Sequence, residues 1–264
     1  MTIRLATPPD YDAALTIIGD AFGMAAVAPT VHTVVADSEY GQLLVAEDED
    51  GRIVGTGASV GFGATGWIGG IAVSEAARGR GLGRALTEAA IDALGPRETY
   101  LLLASELGRP IYDRLGFVPE QHYRKFWTPE HVIPVPSDIR PLTAADRRAV
   151  AALDARVTGE DRALALDVAL VGGVATLDLS AVALRPPWPA LPILARDPYA
   201  GAVMLSAVLG PGIRVAVPEA NEPAVDALLA HGATEGEPVL RMRRGPAVPW
   251  RPEELWGVFS LFFG

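Results

Sequence analysis

Three glycines alternate with larger residues in Arg78-Gly79-Arg80-Gly81-Leu82-Gly83-Arg84, and three arginines are interleaved with them. Ahead of this stretch runs Gly66-Trp67-Ile68-Gly69-Gly70-Ile71-Ala72-Val73, the apolar pattern of a buried strand. After it, Leu82, Ala85, Leu86, Ala89, Ala90, Ala93 and Leu94 recur at the three-and-four spacing of one helix face. Glycines between a strand and a helix let backbone approach a ligand closely. The unpaired amides of the helix's first turn, with the positive end of its dipole, favour an anion there. Arg78, Arg80 and Arg84 add mobile positive charge, so the segment from Arg78 to Arg84 reads as a pyrophosphate cradle.

The spacing narrows which pyrophosphate it is. A P-loop ends in Gly-Lys-Ser/Thr, whereas here the end is Gly83-Arg84-Ala85, without a hydroxyl for magnesium, which argues against ATP and GTP. A dinucleotide fingerprint is Gly-x-Gly-x-x-Gly, and Gly79, Gly81 and Gly83 are spaced Gly-x-Gly-x-Gly. The segment resembles the acyl-coenzyme A signature of the GNAT superfamily of N-acetyltransferases, Arg/Gln-x-x-Gly-x-Gly/Ala, through Arg78, Gly81 and Gly83. A second apolar run, Tyr100-Leu101-Leu102-Leu103-Ala104, supplies a further strand. Gly108-Arg109-Pro110-Ile111-Tyr112-Asp113-Arg114-Leu115-Gly116-Phe117 resembles the superfamily's closing element, a short helix ending in Tyr-x-x-Leu-Gly-Phe, with Gly116 at the C-cap. The resemblance covers residues 1 to 127.

The resemblance implies acetyl-coenzyme A as cosubstrate and direct transfer to an amine within a ternary complex. The thioester carbonyl would be polarised by backbone amides of Ile71, Ala72 and Val73, with the pantetheine lying alongside that strand. Tyr112 is the candidate for protonating the leaving thiolate, since a phenol of ordinary pKa about 10 stays protonated at neutral pH. A tyrosine that only packs the short helix is the plainer alternative. The strand from Trp67 to Val73 lacks the Glu or Asp that many relatives carry, so the base is open among Glu106, Ser105, Asp20 and a chain of waters reaching bulk solvent. The water relay is favoured, because an amine of modestly lowered pKa needs only to lose a proton before attack.

Composition sets the frame. The chain has 264 residues, half of them hydrophobic, which suits one large or two ordinary packed domains. It has no cysteine, which excludes disulfides, thiolate metal sites and a cysteine nucleophile. His32, His122, His131 and His231 show no paired ligand spacing, so no metal is expected. No leader-like or membrane-length apolar run is present, and a cytoplasmic protein is expected. The net charge of −10 disfavours nucleic acid and would suit a cationic amine in an acidic cleft, with acidic solubility as the plainer and commoner reading.

Thr128 to Asp138, with Pro129, Pro134 and Pro136, reads as a linker, and the residues beyond it echo the start of the chain. Ile3, Arg4, Thr7, Asp10 and Gly23 recur 136 positions later as Ile139, Arg140, Thr143, Asp146 and Gly159. Pro223-Ala224-Val225-Asp226 likewise echoes Pro110-Ile111-Tyr112-Asp113, with Val225 in place of Tyr112. The second half has no Arg-x-x-Gly-x-Gly after Leu191-Pro192-Ile193-Leu194-Ala195. The whole chain resembles tandem members of the superfamily, an α/β (α+β) architecture of two GNAT-like domains, each a mixed, mostly antiparallel sheet flanked by helices. The expected boundaries are a catalytic domain at 1–127, the linker, and a degenerate domain at 139–264.

The apolar end, with Trp250, Trp256, Phe259, Phe262 and Phe263, should pack across the groove between the halves. Resemblance to the enhanced intracellular survival acetyltransferases raises the reading that Gly264 reaches the active site. The function expected is acetyl transfer to a primary amine of a small molecule by a monomer or homodimer. A noncatalytic acyl-coenzyme A sensor, and transfer of a different acyl group, stand as alternatives.

Overall fold

The computed structural model describes residues 1–23, 31–130 and 138–264. The first half forms β1 (Thr2–Leu5), α1 (Tyr11–Phe22), α2 (Val31–Ala36), β2 (Gly41–Glu47), β3 (Ile53–Phe62), β4 (Thr65–Val73), α3 (Leu82–Leu94), β5 (Thr99–Ala104), α4 (Arg109–Arg114) and β6 (Val118–Trp127). The second forms β7 (Ile139–Pro141), α5 (Arg147–Thr158), α6 (Ala163–Leu170), β8 (Val174–Thr176), β9 (Ala181–Ala183), β10 (Ile193–Ala195), α7 (Pro198–Val208), β11 (Arg214–Pro218), α8 (Glu222–Ala230), β12 (Thr234–Arg244) and β13 (Leu255–Gly257).

The repeat seen in the sequence holds at atomic detail. Arg4 Nη1 donates to Asp10 Oδ2 at 2.7 Å, and Arg140 Nη1 donates to Asp146 Oδ2 at 2.8 Å. The same carboxylates accept from the Thr7 and Thr143 backbone amides, at 2.8 and 2.9 Å. Each arrangement starts a helix that ends on a glycine in the left-handed region, Gly23 (φ 62°) and Gly159 (φ 73°).

The strands form an eight-stranded sheet, ordered β1-β2-β3-β4-β5-β12-β6-β11, and a five-stranded sheet, ordered β13-β10-β9-β8-β7. Among the described residues the one parallel pair is β4 with β5; the second sheet is antiparallel throughout. The sheets do not follow the expected boundary between 1–127 and 139–264. β11 and β12 come from the second half, yet belong to the first sheet. β12 lies between β5 and β6, with Leu240 opposite Ala104 on one side and His122 on the other. Most of the expected linker, with His131, Pro134 and Pro136, lies outside the described residues. Thr128 continues the β6–β11 pairing, its amide donating to the Ile213 carbonyl at 3.0 Å.

Two features of the first sheet prepare a site. The β4–β5 pairing runs only from Thr65 opposite Thr99 to Ile68 opposite Leu102, and beyond it the two strands part. β4 continues against β3 to Val73 across a register shift in which Ala58 faces Gly69 and Thr56 faces Ala72. Gly70, at φ +61°, makes this irregularity possible, because a side chain there would be strained.

The first sheet's faces differ. On one, α3 and α4 cover Ile68, Leu102, Leu240 and Met242, with Ala90, Tyr112 and Phe117 in the same core. On the other, Trp67, Leu101, Tyr123 and Ala216 pack with α1, α5 and the chain's last residues. The apolar end does fill the space between the halves: Trp256 lies against Gly201 of α7, and the Val258 amide donates to the Ala216 carbonyl of β11 at 3.0 Å. Phe259, Phe262 and Phe263 are buried in the shared core. Among the described residues no helix is long and apolar enough to cross a membrane.

Candidate active site

The cradle has the conformation its composition calls for. Gly79 (φ +77°) and Gly81 (φ +78°) are left-handed, and a Cβ on either would meet no atom within 4 Å, so both open onto free space. Gly81 caps α3, leaving the first-turn amides without intrahelical partners. Arg78 Nε donates to the Val73 carbonyl at 3.1 Å, tying the loop to the end of β4, and Arg84 Nε donates to Glu88 Oε1 at 3.0 Å. In the second half the corresponding helix start is already filled. The Asp197 carboxylate accepts from the Ala200 amide at 2.9 Å and caps α7, putting a fixed anion where a ligand would sit.

A cleft of about 1170 Å³ begins at this loop and runs through the opening between β4 and β5. Ile71, Ala72, Val73, Arg78, Gly79, Gly81, Leu82, Gly83, Arg84 and Tyr112 all line it; Arg80 does not. Tyr112 is 8% exposed, sits edge-on to Phe117 with centroids 6.1 Å apart, and its phenol is pushed up to about 12 by burial. Of the residues considered for the base, Ser105 lines the cleft, while Glu106 and Asp20 do not.

The far side of the cleft holds groups that the spacing of residues did not single out. His32, on α2, is 1% exposed, and neither ring nitrogen has a hydrogen-bond partner among the described residues. Burial pushes its pKa down to about 3, so the ring is neutral. It packs edge-on against Phe262 at 4.4 Å and crowds Gly70, where a Cβ would lie 2.9 Å from Nε2. The Phe262 carbonyl would lie 2.3 Å from a Cβ on Gly69. The tail therefore rests directly on the parted end of β4, with Ser260, Leu261 and Phe262 in the cleft wall.

Gly264 does not enter the cleft. Its carbonyl accepts from Arg162 Nη1 at 3.1 Å, and it lies beneath the Trp67 ring in the core. Arg162 is in turn held by Asp154, with Nε donating to Oδ2 at 3.0 Å.

The charge of the cleft differs from that of the chain. Among the described residues its charged side chains are Arg78, Arg84, Arg114, Lys125, Arg185 and Arg214, with no carboxylate. The expectation of an acidic cleft is thereby overturned. The surplus of acidic residues faces outward or is consumed in pairs such as Asp10–Arg4 and Glu235–Arg124.

Residues 39–119 match the family model of the acetyltransferase (GNAT) domain. Among solved structures, a Pyrococcus horikoshii protein assigned as an acetyltransferase is similar over 100% of this chain and 95% of its own, with 21% identity and a TM-score of 0.85. A GCN5-related N-acetyltransferase from Sphaerobacter thermophilus is similar over 94% of this chain and 98% of its own, with 16% identity and a TM-score of 0.62. One from Anabaena variabilis is similar over 92% and 72%, with 12% identity and a TM-score of 0.51. At these identities the likeness speaks for the fold over the full length, including the two-sheet arrangement. No curated protein matches the sequence significantly. The family match lies across the strands, loop and short helix that build the cleft, and it is over this stretch that the chain is similar to the acetyltransferase (GNAT) domain.

Proposed function

We propose that the protein transfers an acetyl group from acetyl-coenzyme A to a primary amine of a small molecule. The observation that carries this reading is a single cleft joining the open, glycine-rich start of α3 to the Tyr112 phenol and, through the gap between β4 and β5, to the opposite face of the sheet. The residues fit the cosubstrate. The left-handed glycines leave room for its pyrophosphate against the α3 amides, and Arg78 and Arg84 supply counter-charge. Past Ile68, β4 has lost β5 as a partner, so its main chain from Gly69 to Val73 can pair with a pantetheine amide.

When bound, the cosubstrate supplies an activated thioester. The amine nitrogen bonds to its carbonyl carbon, the carbon–sulfur bond breaks, and sulfur leaves with the bonding pair. Backbone amides of Ile71 to Val73 are the donors for the carbonyl oxygen. Tyr112 donates towards the sulfur. Against a thiol of ordinary pKa about 8.5, complete proton transfer from a phenol near 12 is uphill, so its contribution is a hydrogen bond to charge developing on sulfur, with solvent completing the protonation. The amine proton leaves through water, since no carboxylate among the described residues lines the cleft.

The reading is tested by incubating the protein with acetyl-coenzyme A and a panel of small amines while following thiol release, with Tyr112→Phe and Arg78→Ala in parallel. Amine-dependent release that weakens in both variants is expected. Saturable binding of the cosubstrate without release for any amine would replace the reading with that of a sensor.

A further inference from the structure

The six cations of the cleft divide between two faces of the sheet. The register pairs Lys125 with Ala216 and Trp127 with Arg214, and directly opposed residues share a face. Ala216 belongs to the core that contains Trp67 and Phe262, on the side away from α3 and α4. Lys125 and Arg214 therefore lie across the sheet from the glycine loop, where Arg78 and Arg84 already serve the cosubstrate's phosphates. Arg185, in the segment after β9, also lines the cleft.

None of the three has a salt-bridge partner among the described residues. The Arg214 guanidinium lies 5.3 Å from the Trp127 ring centre, an arrangement that orients it without neutralising it. Lys125 is half-buried and is pushed down first by burial and then by Arg214, while Glu237, outside the cleft wall, acts weakly in the opposite sense. Trp188 forms a fixed apolar wall, its indole donating to the Phe259 carbonyl at 3.0 Å. Like charges held together beside apolar walls, with no acid among them, await an anion.

Resting on the transferase reading, we propose that the acceptor is an amine that also carries an anionic group, a carboxylate or a phosphate, which Lys125, Arg214 and Arg185 hold on the face opposite the glycine loop. The ammonium end is then directed away from the cations and towards the parted end of β4. A simple cationic polyamine is disfavoured, because no carboxylate among the described residues lines the cleft to partner it.

The test compares initial rates of thiol release for matched acceptors: phenylalanine, phenylalaninamide and phenethylamine in one set, phosphoethanolamine and ethanolamine in the other. The two sets distinguish carboxylate from phosphate. The anionic member of at least one set should exceed its uncharged-tail counterparts by about tenfold or more in kcat/KM. Lys125→Gln, Arg214→Gln and the exposed Arg185→Gln should raise the KM for that acceptor while leaving the KM for acetyl-coenzyme A unchanged. Equal or better rates with the uncharged-tail amines, or an unmoved acceptor KM in all three variants, would overturn the proposal. If no amine releases thiol, calorimetric titration with phenylalanine and phosphoethanolamine decides separately. Saturable binding weakened by the three substitutions upholds the anion site while the transferase reading falls, and no binding removes both.

Discussion

The Trp67 indole donates to Glu160 Oε1 across 2.8 Å, joining β4 of the first sheet to the segment after α5. The same oxygen accepts from Thr65 Oγ1 at 2.5 Å, and the carboxylate is 4% exposed. Arg162 and Arg241 lie close enough to favour its charged form, against the burial that pushes its pKa up. Replacing it by Leu strands the Trp67 indole N–H and leaves two buried arginines short of an acid, while Thr65 Oγ1 can still donate to the Phe62 carbonyl at 3.0 Å. We expect Glu160→Leu to cost about 3 kcal/mol and Glu160→Gln about 1 kcal/mol, read from urea unfolding midpoints. Equal losses would show that shape rather than charge joins the halves here.

Tyr112→Phe should reduce turnover by roughly ten- to a thousandfold with little change in cosubstrate affinity. With the phenol pushed up to about 12, turnover of the parent should show no tyrosine ionisation near neutral pH. Unchanged turnover in the variant would leave Tyr112 as packing for α4 against Phe117.

Gly69→Ala separates the tail from the chemistry. The new methyl group would meet the Phe262 carbonyl at 2.3 Å, so Ser260 to Phe262 must shift. Since these residues line the acceptor side, the KM for the amine should rise severalfold while cosubstrate binding is retained. Gly81→Ala acts in reverse. Its φ of +78° makes a side chain cost about 1 kcal/mol, and the methyl enters the space left for pyrophosphate, so cosubstrate affinity should fall.

Asp10 and Asp146 are held well below the usual carboxylate range, first by hydrogen bonds from Arg4 and Arg140 and then by the Thr7 and Thr143 amides. A depressed folded-state pKa contributes stability that is present above the unfolded value, near pH 4, and is lost as pH falls below it. Acid unfolding of the parent should therefore steepen below about pH 4. The double variant Asp10→Asn, Asp146→Asn should start less stable and lose less over that range. Parallel curves for the two proteins would refute the assignment.

How much of this was legible in the sequence depended on range. The glycine loop, α3 and the Tyr112-to-Phe117 closing element are written in consecutive residues, and each is where its local pattern puts it. The capping pair Thr7/Asp10 and its echo Thr143/Asp146 are local too, which is why the repeat could be read. The insertion of β12 was not legible, because nothing near Leu240 says that Ala104 and His122 will flank it. Lys125 was missed for a different reason. Alternating Tyr123, Lys125 and Trp127 looks like any strand with one face to solvent, and only β11 alongside shows that this face walls a cleft.

The position of β12 also bears on how the chain is made. Emerging from the ribosome, residues 1–127 would present β5 and β6 with a vacancy between them, since the strand that fills it ends at Arg244. Until then two strand edges wait unpaired, open to mispairing with a neighbouring nascent chain. Completion of the first sheet is thus an event of late synthesis, and fragments cut at the apparent midpoint would inherit its incompleteness.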